Sequence, residues 1–245
     1  MNIVRVFQSL GPVDARSVLR DSLLQWMLVI PFLPALIVRW GIPTLNEWLK
    51  LEHGFDLTPY YTLIISFFLL FIPMLVGVVI GFLLLDERDD RTLTALRVTP
   101  LKPADYLFYR ITAPWVISVF ITLICFPIAG LVRVDFIPLL LCALMASLEA
   151  PLFALLLVAF ARNKVVGLAM YKGFGIFFLA PLAVFFVDSN WDIVAGIFPT
   201  YWPVLAFYQN LSANPRWLIS LLTGFAVHGI YLSILLKRFQ RIQLD

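Results

Sequence analysis

Apolar residues in this chain run on without interruption instead of recurring at the spacing of one helix face. Six stretches are almost free of charge: about Leu23–Trp40, Tyr60–Leu85, Ile111–Val132, Phe136–Phe160, Val165–Val187 and Trp217–Leu236. A hydrocarbon core of about 30 Å asks for roughly 20 helical residues, and each run comes near that length. Only helices satisfy every backbone group within one segment in lipid, and the runs lack the alternation of a membrane barrel. The pattern predicts an all-α membrane protein of six transmembrane helices. Pro31, Pro34, Pro73, Pro114, Pro127, Pro151 and Pro181 fall inside the runs. Each removes a backbone donor and predicts a kink, which either shapes packing or serves as a hinge. A seventh run, Ile193–Ala206, is broken by Pro199 and Pro203. It reaches only about 21 Å at 1.5 Å per residue, too short to span. Trp191, Tyr201, Trp202 and Tyr208 flank it, and such rings favour headgroup level. It is read as an interfacial or re-entrant helical segment between spans five and six.

Composition strengthens this picture. The chain is 62% hydrophobic and 13% charged, against roughly 45–50% and 25% in soluble domains. That excludes a disordered chain, a disulfide scaffold and an ordinary soluble enzyme. Cys125 and Cys142 both lie in apolar runs, so neither a disulfide nor a metal site is expected. Residues 1–245 are read as one transmembrane domain. Its parts are an N-terminal arm at 1–22, a charged loop at 86–105 and a segment at 188–215 on the external side. No cleavable signal is apparent, so the first span is expected to direct its own insertion. In the arm, Val18, Leu19, Ser22 and Leu23 form a short apolar face beside Arg16 and Arg20. An amphipathic helix along the inner leaflet and a solvated lead-in both remain open.

The net charge of +3 says little about partners, and no nucleic-acid partner is expected. The position of each charge says more. Arg5, Arg16, Arg20, Arg88, Arg91, Arg97, Lys102, Arg110, Arg162, Lys164, Lys172, Lys237, Arg238 and Arg241 fall on one side of the six-span plan. Arg39, Lys50, Arg133 and Arg216 fall on the other. The positive-inside rule places both termini in the cytoplasm. If Ile193–Ala206 spanned, the basic tail would lie outside. Lys172 is expected within the fifth helix, which must begin near Val165 to be long enough. The asymmetry survives its removal from the count.

The connection after the second span, Leu85 to Pro103, holds the densest charge in the chain: Asp86, Glu87, Arg88, Asp89, Asp90 and Arg91, then Arg97 and Lys102. Acids lead and a cation follows, which suits the two ends of a helix. Leu93 and Leu96 share one face, and Thr99 before Pro100 stops the helix. A short amphipathic helix of this kind fits an apolar groove on a partner.

The segment from Glu87 to Pro100 resembles the loop after the second span of ABC-2-type transporter permeases. Their pattern there is an acidic pair, Gly-Thr, a Leu and then Thr-Pro; Arg91 stands where Gly is usual, which leaves the local turn open. The likeness extends to Asn163–Ala169 and to the stretch around Pro199, and it is strongest to drug and fluoroquinolone exporters. The resemblance implies that the loop helix is a coupling helix between spans two and three. Glu87, Asp90, Thr92, Leu93, Leu96 and Arg97 would then contact a nucleotide-binding ATPase subunit. It further implies a second, identical or related permease chain, ATP and Mg held by the partner ATPase, and a multi-pass location in the cytoplasmic membrane. The chain itself has no Gly-x-x-x-x-Gly-Lys-Ser/Thr loop, so nucleotide would have to be bound elsewhere. Against this stands a solvated loop whose charges only set topology.

Glu149 lies near the middle of the fourth span, and intramembrane charge is a functional hypothesis by default. Lys172 on the next helix is positioned to pair with it or to snorkel. A structural hydrogen bond, recognition of a substrate cation and a proton relay all stay open. His228 in the sixth span reads as packing or as a further polar residue on the path. An intramembrane protease would need a Ser in a Gly-x-Ser-Gly context, and none occurs. Gly77 and Gly81, four apart, form a possible helix contact face. The load of 22 Phe suits apolar or amphipathic cargo and equally suits a lipid-facing surface. The expected function is the non-enzymatic membrane half of an ATP-driven exporter of hydrophobic or amphipathic compounds; the alternative is a proton-coupled carrier using Glu149.

Overall fold

A computed structural model describes residues 3–89, 103–187 and 192–244, and every regular element among them is helical. Five helical segments among the described residues are long and apolar enough to cross a membrane: Thr58–Arg88, Asp105–Ala129, Phe136–Phe160, Lys164–Phe186 and Trp217–Arg241. They correspond to the second to sixth predicted runs.

The first run is helical in pieces. After α1 (Ile3–Arg20) come α2 (Ser22–Val29), α3 (Phe32–Leu36), a π turn at Ile37–Gly41 and α4 (Ile42–His53). Pro31 and Pro34 lack the N–H groups that would carry one ladder through the run. Leu23–Trp40 is therefore broken around the two prolines that predict kinks in it. Gly54 ends α4 in the left-handed conformation, φ 64°, where glycine meets no Cβ penalty.

The bundle is organised around α5 (Tyr61–Asp89). Its residues Leu69, Ile72, Leu75, Val79, Phe82 and Leu85 are almost wholly buried, and a helix apolar all round belongs inside. It packs along α8 (Glu149–Phe160), which is buried at ten positions from Glu149 to Ala159. The contact face is the one the small residues predicted. A Cβ on Gly77 would strike the Ala150 carbonyl, and one on Gly81 would lie 2.8 Å from Leu157 Cδ1 and 3.3 Å from Ala154 Cα. Glycine lets the two backbones approach closely.

The fourth run is two helices, α7 (Phe136–Ala146) and α8, parted at Ser147–Leu148. Pro151 cannot donate to the Ser147 carbonyl. The Ala150 N–H takes that acceptor at 3.0 Å, tightening the turn. The third run starts earlier than expected, as α6 (Pro103–Ala129). The fifth begins as α9 (Lys164–Gly173), where Asn163 accepts from the Val166 N–H at 3.0 Å as N-cap. It continues through 3-10 turns to α10 (Ala183–Phe186), and Lys172 lies within α9, as its length required.

The short seventh run gives α11 (Asp192–Ala195) and α12 (Tyr201–Leu211). α12 buries Tyr201, Val204 and Phe207, and Phe207 stacks edge-on to Phe126 at 5.5 Å. α12 packs into the bundle, while Val194, Ile197 and Phe198 before it are exposed. α13 (Trp217–Leu244) completes the chain and extends past its predicted end at Leu236. Two apolar clusters fill the interior. One joins the later half of α5 to α8, Phe174 and Phe239. The other joins the earlier half to α7, α12 and the free thiols Cys125 and Cys142.

Candidate functional site

Charge gathers at the end of the bundle where α5 leaves and α6 returns. Arg110 on α6 is 2% exposed. Its Nη1 lies 2.6 Å from Asp14 Oδ2 on α1, and its Nη2 pairs with Glu87 Oε1 on α5. Tyr109 donates its hydroxyl to Asp14 Oδ2 at 2.8 Å, and Tyr106 donates to Glu87 Oε2 at 2.7 Å. The guanidinium also lies over both rings, 5.2 Å from Tyr106 and 5.3 Å from Tyr109. A buried cation is tolerable only with such partners, because desolvation alone costs several kcal/mol. The network thus fastens α1 to both ends of the loop 90–102.

Three further basic side chains fasten the same end. Lys164 Nζ reaches Asp21 Oδ2 at 2.7 Å and Asp86 Oδ2 at 3.0 Å. Arg88 donates to the Val158 and Ala161 carbonyls at 3.3 and 2.8 Å. Arg238 donates to the Ala159 carbonyl at 3.2 Å and stacks on Phe160 at 4.1 Å. These carbonyls belong to the C-terminal end of α8, which has no intrahelical donors left and carries partial negative charge.

Of the residues assigned to ATPase contact, Glu87 is turned into this network, its side chain 18% exposed. Asp90, Thr92, Leu93, Leu96 and Arg97 lie outside the described residues, and so does the amphipathic helix expected there. The sequence reading missed Asp14, Tyr106 and Tyr109, and counted Arg110 for topology alone. The signal was an Arg facing two aromatic neighbours at the head of an apolar run.

The second polar group lies within the bundle. Glu149 Oε1 is 3.2 Å from His228 Nε2, and both side chains are wholly buried. His228 Nδ1 is 2.7 Å from the Gly224 carbonyl. A carbonyl only accepts, so Nδ1 carries a proton. Glu149 Oε1 is thus the group that faces the other ring nitrogen, Nε2. Glu149 Oε2 and Ser147 Oγ, at the helix break, are buried without a hydrogen-bond partner among the described residues. Lys172 is exposed on α9, and among the described residues no ion pair joins it to Glu149; the carboxyl pairs with His228 across the fold. Sequence neighbours suggested Lys172, whereas the packing of α8 on α13 supplied the partner. No group of three His, Cys, Asp or Glu able to hold a metal occurs among the described residues.

Five long apolar helices with buried polar groups at one end and one pair within define a multi-pass helical membrane protein. Comparison with known proteins gives the family. The profile described as "Fluoroquinolones export permease protein Rv2686c-like" matches residues 14–236. Two Mycobacterium tuberculosis proteins, "Fluoroquinolones export permease protein Rv2686c" of strain H37Rv and "Fluoroquinolones export permease protein MT2760" of strain CDC 1551 / Oshkosh, are each 32% identical over 240 residues. The alignments cover 96% of this chain and 94% of each relative. The chain belongs to the Rv2686c-like export permease family, in agreement with the resemblance to ABC-2-type permeases. No solved structure matches it.

Proposed function

We propose that this chain is the transmembrane subunit of an ATP-driven exporter that moves hydrophobic or amphipathic compounds, fluoroquinolone-like drugs among them, out across the cytoplasmic membrane. Two permease chains, identical or related, enclose the path. Separate nucleotide-binding subunits hold ATP and Mg and dock on the loop 90–102, with Asp90, Thr92, Leu93, Leu96 and Arg97 forming the contact. Both termini and that loop face the cytoplasm, and the broken Leu23–Trp40 stretch makes the sixth crossing.

The observation that carries this reading is the 32% identity to export permeases along 96% of the chain. The absence of a phosphate-binding glycine loop in the sequence adds to it. The charged end supports it mechanically. A loop whose two roots are clamped by Arg110 to Asp14 and Glu87 passes a push from a docked subunit into α1, α5 and α6 together. The test is capture of the ATPase by detergent-solubilised chain, read by mass spectrometry. Leu93→Asp with Leu96→Asp is expected to abolish capture while membrane insertion persists. Undiminished capture by the double variant overturns the docking assignment.

A second reading, a proton-coupled carrier, draws on the buried contact of Glu149 with His228. It requires transport driven by a proton gradient without nucleotide.

A further inference from the structure

A cavity of about 560 Å³ lies under α1, closed on its other sides by α5 and α6. Ala15 and Val18 line it from α1, Val79 from α5, and Ala113 and Ile117 from α6. The volume falls in the range of small-molecule sites, which runs roughly from 300 to 1,000 Å³. Ile117 is 40% exposed on the outer surface of the bundle, so the cavity opens at that surface. Its wall is apolar except at one end, where Asp14 and Tyr109 come from the Arg110 network.

Charge decides what fits. Arg110 meets two carboxylates, Asp14 and Glu87, so among the described residues the network carries one negative charge in excess. Asp14 lies 14% exposed in the cavity wall. Arg16 and Arg20 lie on the exposed side of α1 and do not line the cavity. An anion entering the cavity would meet uncompensated like charge, and a cation would meet a carboxylate and the electron-rich face of an aromatic ring.

We infer that this cavity binds an amphipathic organic cation, its apolar body between Ala15, Val79 and Ala113 and its charge at the Asp14 carboxylate. As cargo or regulator of export the cation rests on the exporter reading; the binding itself does not. The cavity adjoins the clamp at the roots of the coupling loop, so occupancy and docking act on the same side chains.

The test is equilibrium dialysis of the full chain in phosphatidylcholine nanodiscs, with empty discs as control. The probes are tetraphenylphosphonium and tetraphenylborate, alike in shape and opposite in charge. The chain is expected to bind the cation at least about tenfold more tightly than the anion, a difference of about 1.4 kcal/mol. Ala15→Phe and Ala113→Phe, which fill the space, should each weaken cation binding about tenfold. Ala15 is exposed on α1, so its variant keeps the test alive if Ala113→Phe fails to fold. Asp14→Asn should erase the preference between the two ions. Equal binding of the ions, full affinity in the filled variants, or binding of neither ion overturns the inference; the last outcome would mean that lipid or a second copy of the chain occupies the space. Lost ATPase capture with cation binding intact would instead overturn the exporter reading alone.

Discussion

The charged end and the Glu149–His228 pair solve the same problem differently. At the charged end, one buried guanidinium holds two carboxylates that still touch solvent. Within the bundle, two wholly buried side chains face each other, and one carboxyl oxygen has no hydrogen-bond partner among the described residues. The first arrangement is a clamp, since removing the guanidinium leaves two carboxylates without a partner cation. The second is a single contact between two buried side chains beside the break at Ser147–Leu148. Charge with several partners therefore sits where helices are fastened together, and a lone buried pair sits at a helix break.

Breaking the clamp should cost most. Arg110→Met leaves Asp14 and Glu87 repelling each other, and about 3 kcal/mol of stability should be lost. Thermal unfolding of the purified protein in detergent reads this directly. Adding Asp14→Asn and Glu87→Gln to Arg110→Met should recover most of the loss, which distinguishes stranded charge from lost packing. Next comes the close approach of the central helices. Gly77→Val drives a side chain into the Ala150 carbonyl and should cost about 2 kcal/mol through overpacking, seen in the same melting experiment. Glu149→Gln keeps a neutral hydrogen-bonding partner for His228 and should cost about 1 kcal/mol; a loss as large as that of Arg110→Met would show that the bundle pair is a clamp too. The smallest effect belongs to the exposed Lys50–Asp56 pair, 3.1 Å apart. The Thr58 hydroxyl and N–H hold the Asp56 carboxyl down at about 2. Whatever stability that adds is present above the ordinary carboxylate pKa of 3.8 and lost only as pH falls through about 2. Lys50→Ala should leave the melting temperature unchanged at neutral pH.

The distribution of legibility follows the physics. Length and hydropathy placed the second to sixth runs, because lipid demands helices of one length. In the first run hydropathy gave the apolar stretch and Pro31 and Pro34 gave its interruption, since they break a ladder without lowering hydropathy. Length and hydropathy missed the break at Ser147–Leu148, where Pro151 was visible but its effect on the turn before it was not. Gly77 and Gly81 were readable as a contact face because small residues four apart have one obvious use. The polar partners were not readable. Arg110 needs Asp14 and Glu87, and Glu149 needs His228, each far along the chain. Proximity in sequence pointed to Lys172 instead. Only the packing of α1 on α6 and of α8 on α13 reveals which charges meet.

The central claim is that this chain works as a lever driven by a separate nucleotide-hydrolysing subunit. Inverted membrane vesicles holding the chain and that subunit test it, with accumulation of a fluorescent fluoroquinolone as the readout. Accumulation should require ATP and persist when an uncoupler collapses the proton gradient. Accumulation driven by the gradient alone, without nucleotide, and lost in Glu149→Gln would contradict the account.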